Sequence, residues 1–123
     1  MAHILLVEDE QWTADCFTTW LTARNHTVCH VRDAHDALDA IDTQQPQLIV
    51  LDLLLPYTSG VQLLHALQSY VDLADIPVVL CSNSLPDPAV DLRPYGVRAT
   101  VHKAGLTPKK LCHAVEGALH AAV

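Results

Sequence analysis

Short apolar runs and amphipathic stretches alternate along the whole chain. Ile4-Leu5-Leu6-Val7 is a continuous apolar run and predicts a buried strand over residues 3–8. Residues 11–24 then repeat with a helical period: Trp12, Cys16 and Trp20 fall at i, i+4 and i+8, and Phe17 and Leu21 widen the same stripe. That stripe predicts a helix with both tryptophans in the core, ended by Asn25-His26. A second strand is expected over 27–31 and a helix over 34–43, with Ala34, Ala37, Leu38 and Ile41 inward. Pro46 resets the chain before a third strand over 47–52. Thr58-Ser59-Gly60 opens the next helix, whose stripe reads Val61, Leu64 and Leu67. Strands are expected over 76–81 and 97–102, and Thr107-Pro108 supplies an N-cap with proline at the first helical position. The last helix then turns Leu111, Val115, Ala118 and Leu119 to one side. Between the last two strands Pro86, Pro88 and Pro94 leave room only for a short helix.

Five such βα units predict a parallel sheet covered by helices on both faces, because right-handed crossovers leave few other topologies. A dinucleotide-binding half is the alternative order, but no Gly-x-Gly-x-x-Gly follows the first strand. A flavin-binding electron carrier on the same scaffold lacks a phosphate-cradling loop there.

Composition narrows the function more than the fold. The 123 residues suit one domain, 1–123, and half of them are apolar, which argues against disorder. A formal charge of −7 and no basic run longer than Lys109-Lys110 argue against direct nucleic-acid binding or attachment to an anionic membrane. No apolar stretch approaches the roughly 18–20 residues of a membrane span, and a cytoplasmic location is expected. Cys16, Cys29, Cys81 and Cys112 include no Cys-x-x-Cys pair and read as small buried residues. Cys29-His30 and Cys112-His113 are adjacent in sequence, so neither pair easily shares one tetrahedral metal.

The chemistry concentrates where the predicted strands end. Asp52 closes the run Leu48-Ile49-Val50-Leu51; a carboxylate buried alone costs several kcal/mol, so it is expected to emerge at the strand's carboxyl end. Glu8-Asp9-Glu10 ends the first strand in the same way, although acids there also suit a helix N-terminus. Like charges about 4 Å apart repel by about 4 kcal/mol at an effective dielectric of about 20, so such a cluster holds either a proton or a cation. Hard oxygen ligands suit Mg²⁺. Ser82 and Lys103 follow the fourth and fifth strands and bring a hydroxyl donor and an ammonium to the same sheet edge. Carboxylates, a hydroxyl and a lysine together are the parts of a phosphoryl-transfer site.

In order and spacing these residues closely resemble the receiver domain of two-component response regulators, over essentially the whole chain. Ile4 to Glu10 looks like that family's first strand and acidic pair, Leu48 to Asp52 with Pro56 and Gly60 like its phosphoacceptor motif, and Ser82 and Lys103 match its hydroxyl and lysine. The resemblance implies a flavodoxin-like (βα)5 fold with strand order 2-1-3-4-5. It also implies that Asp52 accepts a phosphoryl group from a phosphohistidine of a sensor histidine kinase or phosphotransfer protein. Mg²⁺ would be held by Asp9, Asp52 and the main-chain carbonyl of Leu54, and by Glu8 through water. Lys103 would pair with Asp52 and Ser82 would donate to the phosphoryl group. The implied protein is a signalling phosphoacceptor with weak self-dephosphorylation rather than a metabolic enzyme. It acts through protein contacts, and a homodimer through the fifth strand and its flanking helices is a further expectation. Kinase docking would use the first helix near Gln11, Thr13 and Ala14 and the loop after Lys103. A phosphorylation-independent interaction module on the same fold is the alternative function.

Four positions depart from the family's commonest pattern. Thr100 stands where an aromatic residue is usual, Asn83 where a small residue follows the hydroxyl, and Ala104 where a proline follows the lysine. A non-proline cis bond costs about 3–4 kcal/mol, so the Lys103–Ala104 bond is expected to be trans. The proline-rich segment from Pro86 to Pro94 is the fourth departure and predicts an unusual signalling face.

Overall fold

The structure is a computed structural model and describes residues 2–56, 59–83 and 91–121. Its elements are β1 (His3–Val7), α1 (Gln11–Thr22), β2 (Thr27–Val31), α2 (Ala34–Thr43), β3 (Leu48–Leu51), α3 (Gly60–Gln68), β4 (Val78–Ser82), β5 (Val97–His102) and α4 (Pro108–Ala121). A 3₁₀ turn, Arg93–Tyr95, leads into β5. The five strands are parallel in the order β2-β1-β3-β4-β5, as the resemblance implies.

Strand alternation divides the core in two. Leu5, Val7, Ile49 and Leu51 pack with Ala34, Ala37 and Ile41 of α2 and Leu63, Leu64 and Leu67 of α3. Ile4, Leu6, Leu48 and Val50 face the other way, onto Ala14, Phe17 and Leu21 of α1 and Leu111, Val115 and Ala118 of α4. Because β1 and β3 are covered on both faces, their sequences read as unbroken apolar runs rather than alternating ones. Each large side chain so buried contributes about 1.5–3 kcal/mol relative to exposure.

The helix ends have local causes. Asp33 and Ser59 cap α2 and α3 by accepting from the main-chain N–H of Asp36 and Gln62. Thr107 Oγ1 accepts from the N–H of Lys110, 3.2 Å away, with Pro108 at the first helical position as expected. Helix α1 stops at Thr22, two residues earlier than the periodicity predicts, and the chain turns through Asn25 at φ 68°.

Two core assignments need correction. Trp12 is 73% exposed, and Cys16 and Trp20 are only half-buried. The buried row of α1 is Ala14, Phe17 and Leu21, one ridge round from the tryptophan stripe, because the smaller Ala14 lets the helix seat against the sheet. In α3, likewise, Leu63 and not Val61 completes the buried row; Val61 is 40% exposed. Ala14, named as a docking residue, is buried, so its side chain does not present to a partner. The cysteines are free, with Cys81 and Cys112 buried and Cys16 and Cys29 intermediate. Of the expected short helix between β4 and β5, residues 84–90 lie outside the described residues, as does Thr58 at the predicted start of α3. Among the described residues, no helix is long and apolar enough to cross a membrane.

Candidate functional site

Parallel strands align their carboxyl ends, and each predicted site residue extends a ladder by one step. The N–H of Glu8 donates to Val31 O at 3.0 Å, that of Asp52 to Val7 O at 3.2 Å, and that of Lys103 to Ser82 O at 3.2 Å. Glu8, Asp52 and Lys103 therefore leave β1, β3 and β5 at one edge, and Ser82 is the last residue of β4. The strand over 76–81 foreseen from sequence runs instead over 78–82, which takes Ser82 into the sheet and buries it completely.

The side chains converge on Asp52. Ser82 Oγ donates to its Oδ1 at 2.7 Å and the main-chain N–H of Leu54 donates to the same oxygen at 3.0 Å. Lys103 Nζ donates to Asp52 Oδ2 at 2.5 Å and to Glu8 Oε1 at 2.6 Å. Glu8 and Asp52 are buried at 1% and 5% exposure, so the lysine is their counter-charge in a site that water barely reaches. Asp9 stands beside them: one carboxylate oxygen from each of Glu8, Asp9 and Asp52 lies within 4.8 Å of the others.

This geometry separates the two buried acids. Burial pushes Glu8 up to about 7, against the pull of Lys103 and with help from the nearby charge of Asp52. Burial acts on Asp52 in the same direction, but hydrogen bonds from Lys103, Leu54 and Ser82 outweigh it and hold the carboxyl below its ordinary value. Burial also opposes the charge on Lys103, yet Asp52 and Glu8 more than compensate and keep the ammonium protonated. Asp52 is thus the ionised acid of the pair and Glu8 the one that shares a proton near neutrality. Among the described residues, Glu8 Oε2 is buried without a hydrogen-bond partner, a carboxylate oxygen that a cation would satisfy.

Two supporting contacts escaped the sequence reading. His30 Nε2 lies 2.7 Å from the main-chain oxygen of Glu8, and Arg32 donates to that of Asp9 at 2.8 Å, so the end of β2 ties down the acidic loop. The only signal was their position at the close of the neighbouring strand. Gly60, noted as part of a motif, has a steric reason: a Cβ there would sit 2.6 Å from Asp52 O and 2.8 Å from Leu53 Cα. The start of α3 therefore lies directly against the backbone of Asp52, joined by the Gly60 N–H to Leu53 O bond of 2.9 Å. Asn83 and Ala104 are exposed beside the site, and the Lys103–Ala104 bond is trans.

Comparisons with known proteins agree with this picture. Residues 4–116 match the model of the response regulator receiver domain. The chain is 29% identical over 91 residues to Regulator of RpoS from Escherichia coli (strain K12), covering 74% of this chain and 27% of that protein. It is 29% identical over 76 residues to the polar-differentiation response regulator DivK from Brucella anthropi, covering 62% of each. The chain thus spans about a quarter of the length of the first of these relatives. Among solved structures, the signal receiver domain of a signal transduction histidine kinase from Syntrophus aciditrophicus superposes with a TM-score of 0.84 at 28% identity, covering 98% of this chain and 92% of that one. The strand-end acids, hydroxyl and lysine stand on the scaffold that these proteins share, and the chain belongs to the response regulator receiver domain family of two-component signalling.

Proposed function

We propose that Asp52 is a phosphoacceptor, taking a phosphoryl group from a phosphohistidine of a sensor histidine kinase or phosphotransfer protein, and that residues 1–123 work as a single receiver unit. The observation that carries this reading is the setting of Asp52: a buried carboxylate held by Ser82, Leu54 and Lys103. In the transfer, one Asp52 oxygen forms a bond to phosphorus as the P–N bond to the donor imidazole breaks, and the electron pair of that bond returns to the ring nitrogen. Lys103 and Ser82 are placed to shift from the carboxylate to the oxygens of the transferred group, which adds nearly two negative charges to the site. That redistribution, at the ends of β4 and β5, is the local event from which a change of shape spreads.

The donor set fits Mg²⁺: hard carboxylate oxygens of Glu8, Asp9 and Asp52, with Glu8 Oε2 in need of a partner. Asp9, Asp52 and the Leu54 carbonyl would hold the ion, with Glu8 acting through water. When bound, the ion supplies positive charge against the phosphoryl oxygens. The acceptor is a signalling device with at most slow self-dephosphorylation, and its output runs through protein contacts. Borohydride reduction tests the assignment, because it converts an aspartyl phosphate to homoserine. After incubation with Mg²⁺ and acetyl phosphate, or a phosphorylated histidine kinase if acetyl phosphate fails, peptide mass mapping should find homoserine at position 52; homoserine at another aspartate, or none with either donor, would overturn it.

A further inference from the structure

Acidic charge is concentrated in one stretch of this chain. Residues 33–91 hold nine of the fourteen Asp and Glu and none of the seven Lys and Arg. The stretch includes α2 and α3, so the two helices that cover one face of the sheet carry no Lys or Arg of their own. Between α2 and the turn after α3 lies a groove of about 460 Å³. Leu38, Ile41, Leu73 and Tyr70 give it apolar surface, and Asp39, Asp42 and Asp72 give it carboxylates.

These carboxylates are not matched inside the fold. Asp42 and Asp72 are exposed and form no ion pair among the described residues, and Asp39 meets only His35, at 3.5 Å. Asp42 also stands where helix electrostatics disfavours it, in the last turn of α2, at the negative end of the dipole and with no basic residue in that turn. Asp36, Asp39 and Asp42 follow at three-residue steps, so like charges line one side of the helix. A helix that keeps Asp42 there forgoes stability, and no cation among the described residues offsets the loss.

The apolar surface continues past the groove. Val71, 94% exposed, and Tyr70, 52% exposed, are neighbours in the turn after α3. The turn is nonetheless held in place. The N–H groups of Leu73 and Ala74 donate to Tyr70 O at 3.1 and 3.0 Å, and Gln45 Nε2 donates to Asp72 O at 3.2 Å, tying the turn to the chain that leaves α2. Both walls are therefore pre-organised for binding. The groove lies by the amino ends of β3 and β4, at the opposite end of the sheet from Asp52, so filling it leaves the phosphoacceptor open.

We propose that this groove is a docking surface for a basic amphipathic segment of a partner protein, one that seats an apolar side chain against Leu38, Ile41 and Leu73, covers Tyr70 and Val71, and sets Lys or Arg against Asp39, Asp42 and Asp72. The same acids would repel nucleic acid and anionic membrane. A divalent ion fits poorly, because among the described residues the groups of three that could share one are Glu8, Asp9 and Asp52, and His35, Asp36 and Asp39, not the three acids of the groove. A two-fold dimer through the groove would press like charges together. The proposal goes beyond the phosphoacceptor reading and does not depend on it, because it concerns the unphosphorylated protein.

The test is a selection of random displayed peptides on the intact, unphosphorylated protein in the absence of Mg²⁺. Enriched peptides should be net positive with at least one large apolar residue, and amide shifts on binding should centre on residues 38–45 and 70–73. Their affinity should weaken with salt and fall by about tenfold in Asp39→Asn/Asp42→Asn. Asp15→Asn/Glu116→Gln removes the same charge elsewhere and should bind within about twofold of the wild type, which separates the groove from the overall charge. Because Asp42→Asn relieves the helix terminus, the Tm of the groove variant should match or exceed that of the wild type, which separates lost binding from lost folding. Spermine, a polycation with no large apolar group, should compete poorly. No winners, neutral or acidic winners, equal losses in the two double variants, shifts centred elsewhere, or displacement by spermine at the peptides' own concentration would overturn the proposal. So would salt-sensitive self-association abolished by the groove variant, which would assign the groove to a second copy of this chain.

Discussion

Replacing Lys103 by Met removes the counter-charge of two buried carboxylates, and the cost should depend on pH in a way that the geometry fixes. With the ammonium gone, Asp52 and Glu8 face each other at 5% and 1% exposure, and breaking a buried pair by deleting one partner costs about 3–5 kcal/mol. Glu8 provides a partial escape, because its folded value near 7 lies above the ordinary 4.5. A carboxyl raised in the folded state contributes stability that is complete below its unfolded value and is lost as pH rises through its folded value. In the wild type that loss ends once Glu8 has ionised. In the variant, which lacks the lysine's downward pull, it continues to higher pH. At about pH 8 the deficit should be the full 3–5 kcal/mol, and near pH 5, with Glu8 protonated, about 1.5–3 kcal/mol, the worth of one charged hydrogen bond to Asp52. Urea denaturation of both proteins in EDTA at the two pH values measures this directly. Equal deficits at both would refute the assignment of Glu8 as the proton-sharing acid.

Other consequences can be checked as simply. Gly60→Ala should cost about 1–3 kcal/mol in urea unfolding, because the added methyl overlaps Asp52 O and Leu53 Cα and the start of α3 must shift. The affinity for Mg²⁺, followed by tryptophan fluorescence, should rise with pH through about 7 as Glu8 gives up its proton, and Glu8→Gln should flatten that dependence. Lys110→Glu alone should add about 0.3–1 kcal/mol to stability at low salt, measured by the urea midpoint. His26 is buried, its Nδ1 accepts from the N–H of Ala2, and burial first, then the positive N-terminus, lower its basicity. A base depressed in the folded state loses stability as pH falls below its ordinary value of about 6.5, so His26→Gln should remove part of the wild type's acid lability.

The fold was legible because its strongest signals are the ones that burial writes into sequence. The unbroken runs of β1 and β3 could belong only to strands covered on both faces, and a carboxylate closing each run had to lie at the sheet's edge. Alternating strands and helices then allowed few topologies, and the family resemblance supplied the strand order. The phase of α1 was misread because Trp12, Cys16 and Trp20 form a persuasive periodic row, whereas burial follows the row of Ala14, Phe17 and Leu21. Period alone does not choose between adjacent ridges. The contacts of His30 and Arg32 with the main-chain oxygens of Glu8 and Asp9 were invisible because a side chain bonding to backbone leaves no complementary residue in sequence.

The central claim is that Asp52 accepts a phosphoryl group. Intact mass of the wild type and of Asp52→Asn, after incubation with Mg²⁺ and acetyl phosphate, tests it most directly. The account predicts a gain of about 80 Da in the wild type and none in the variant. An equal gain in both would place the chemistry elsewhere, and no gain in either, repeated with a phosphorylated histidine kinase as donor, would leave a receiver fold that signals without phosphorylation.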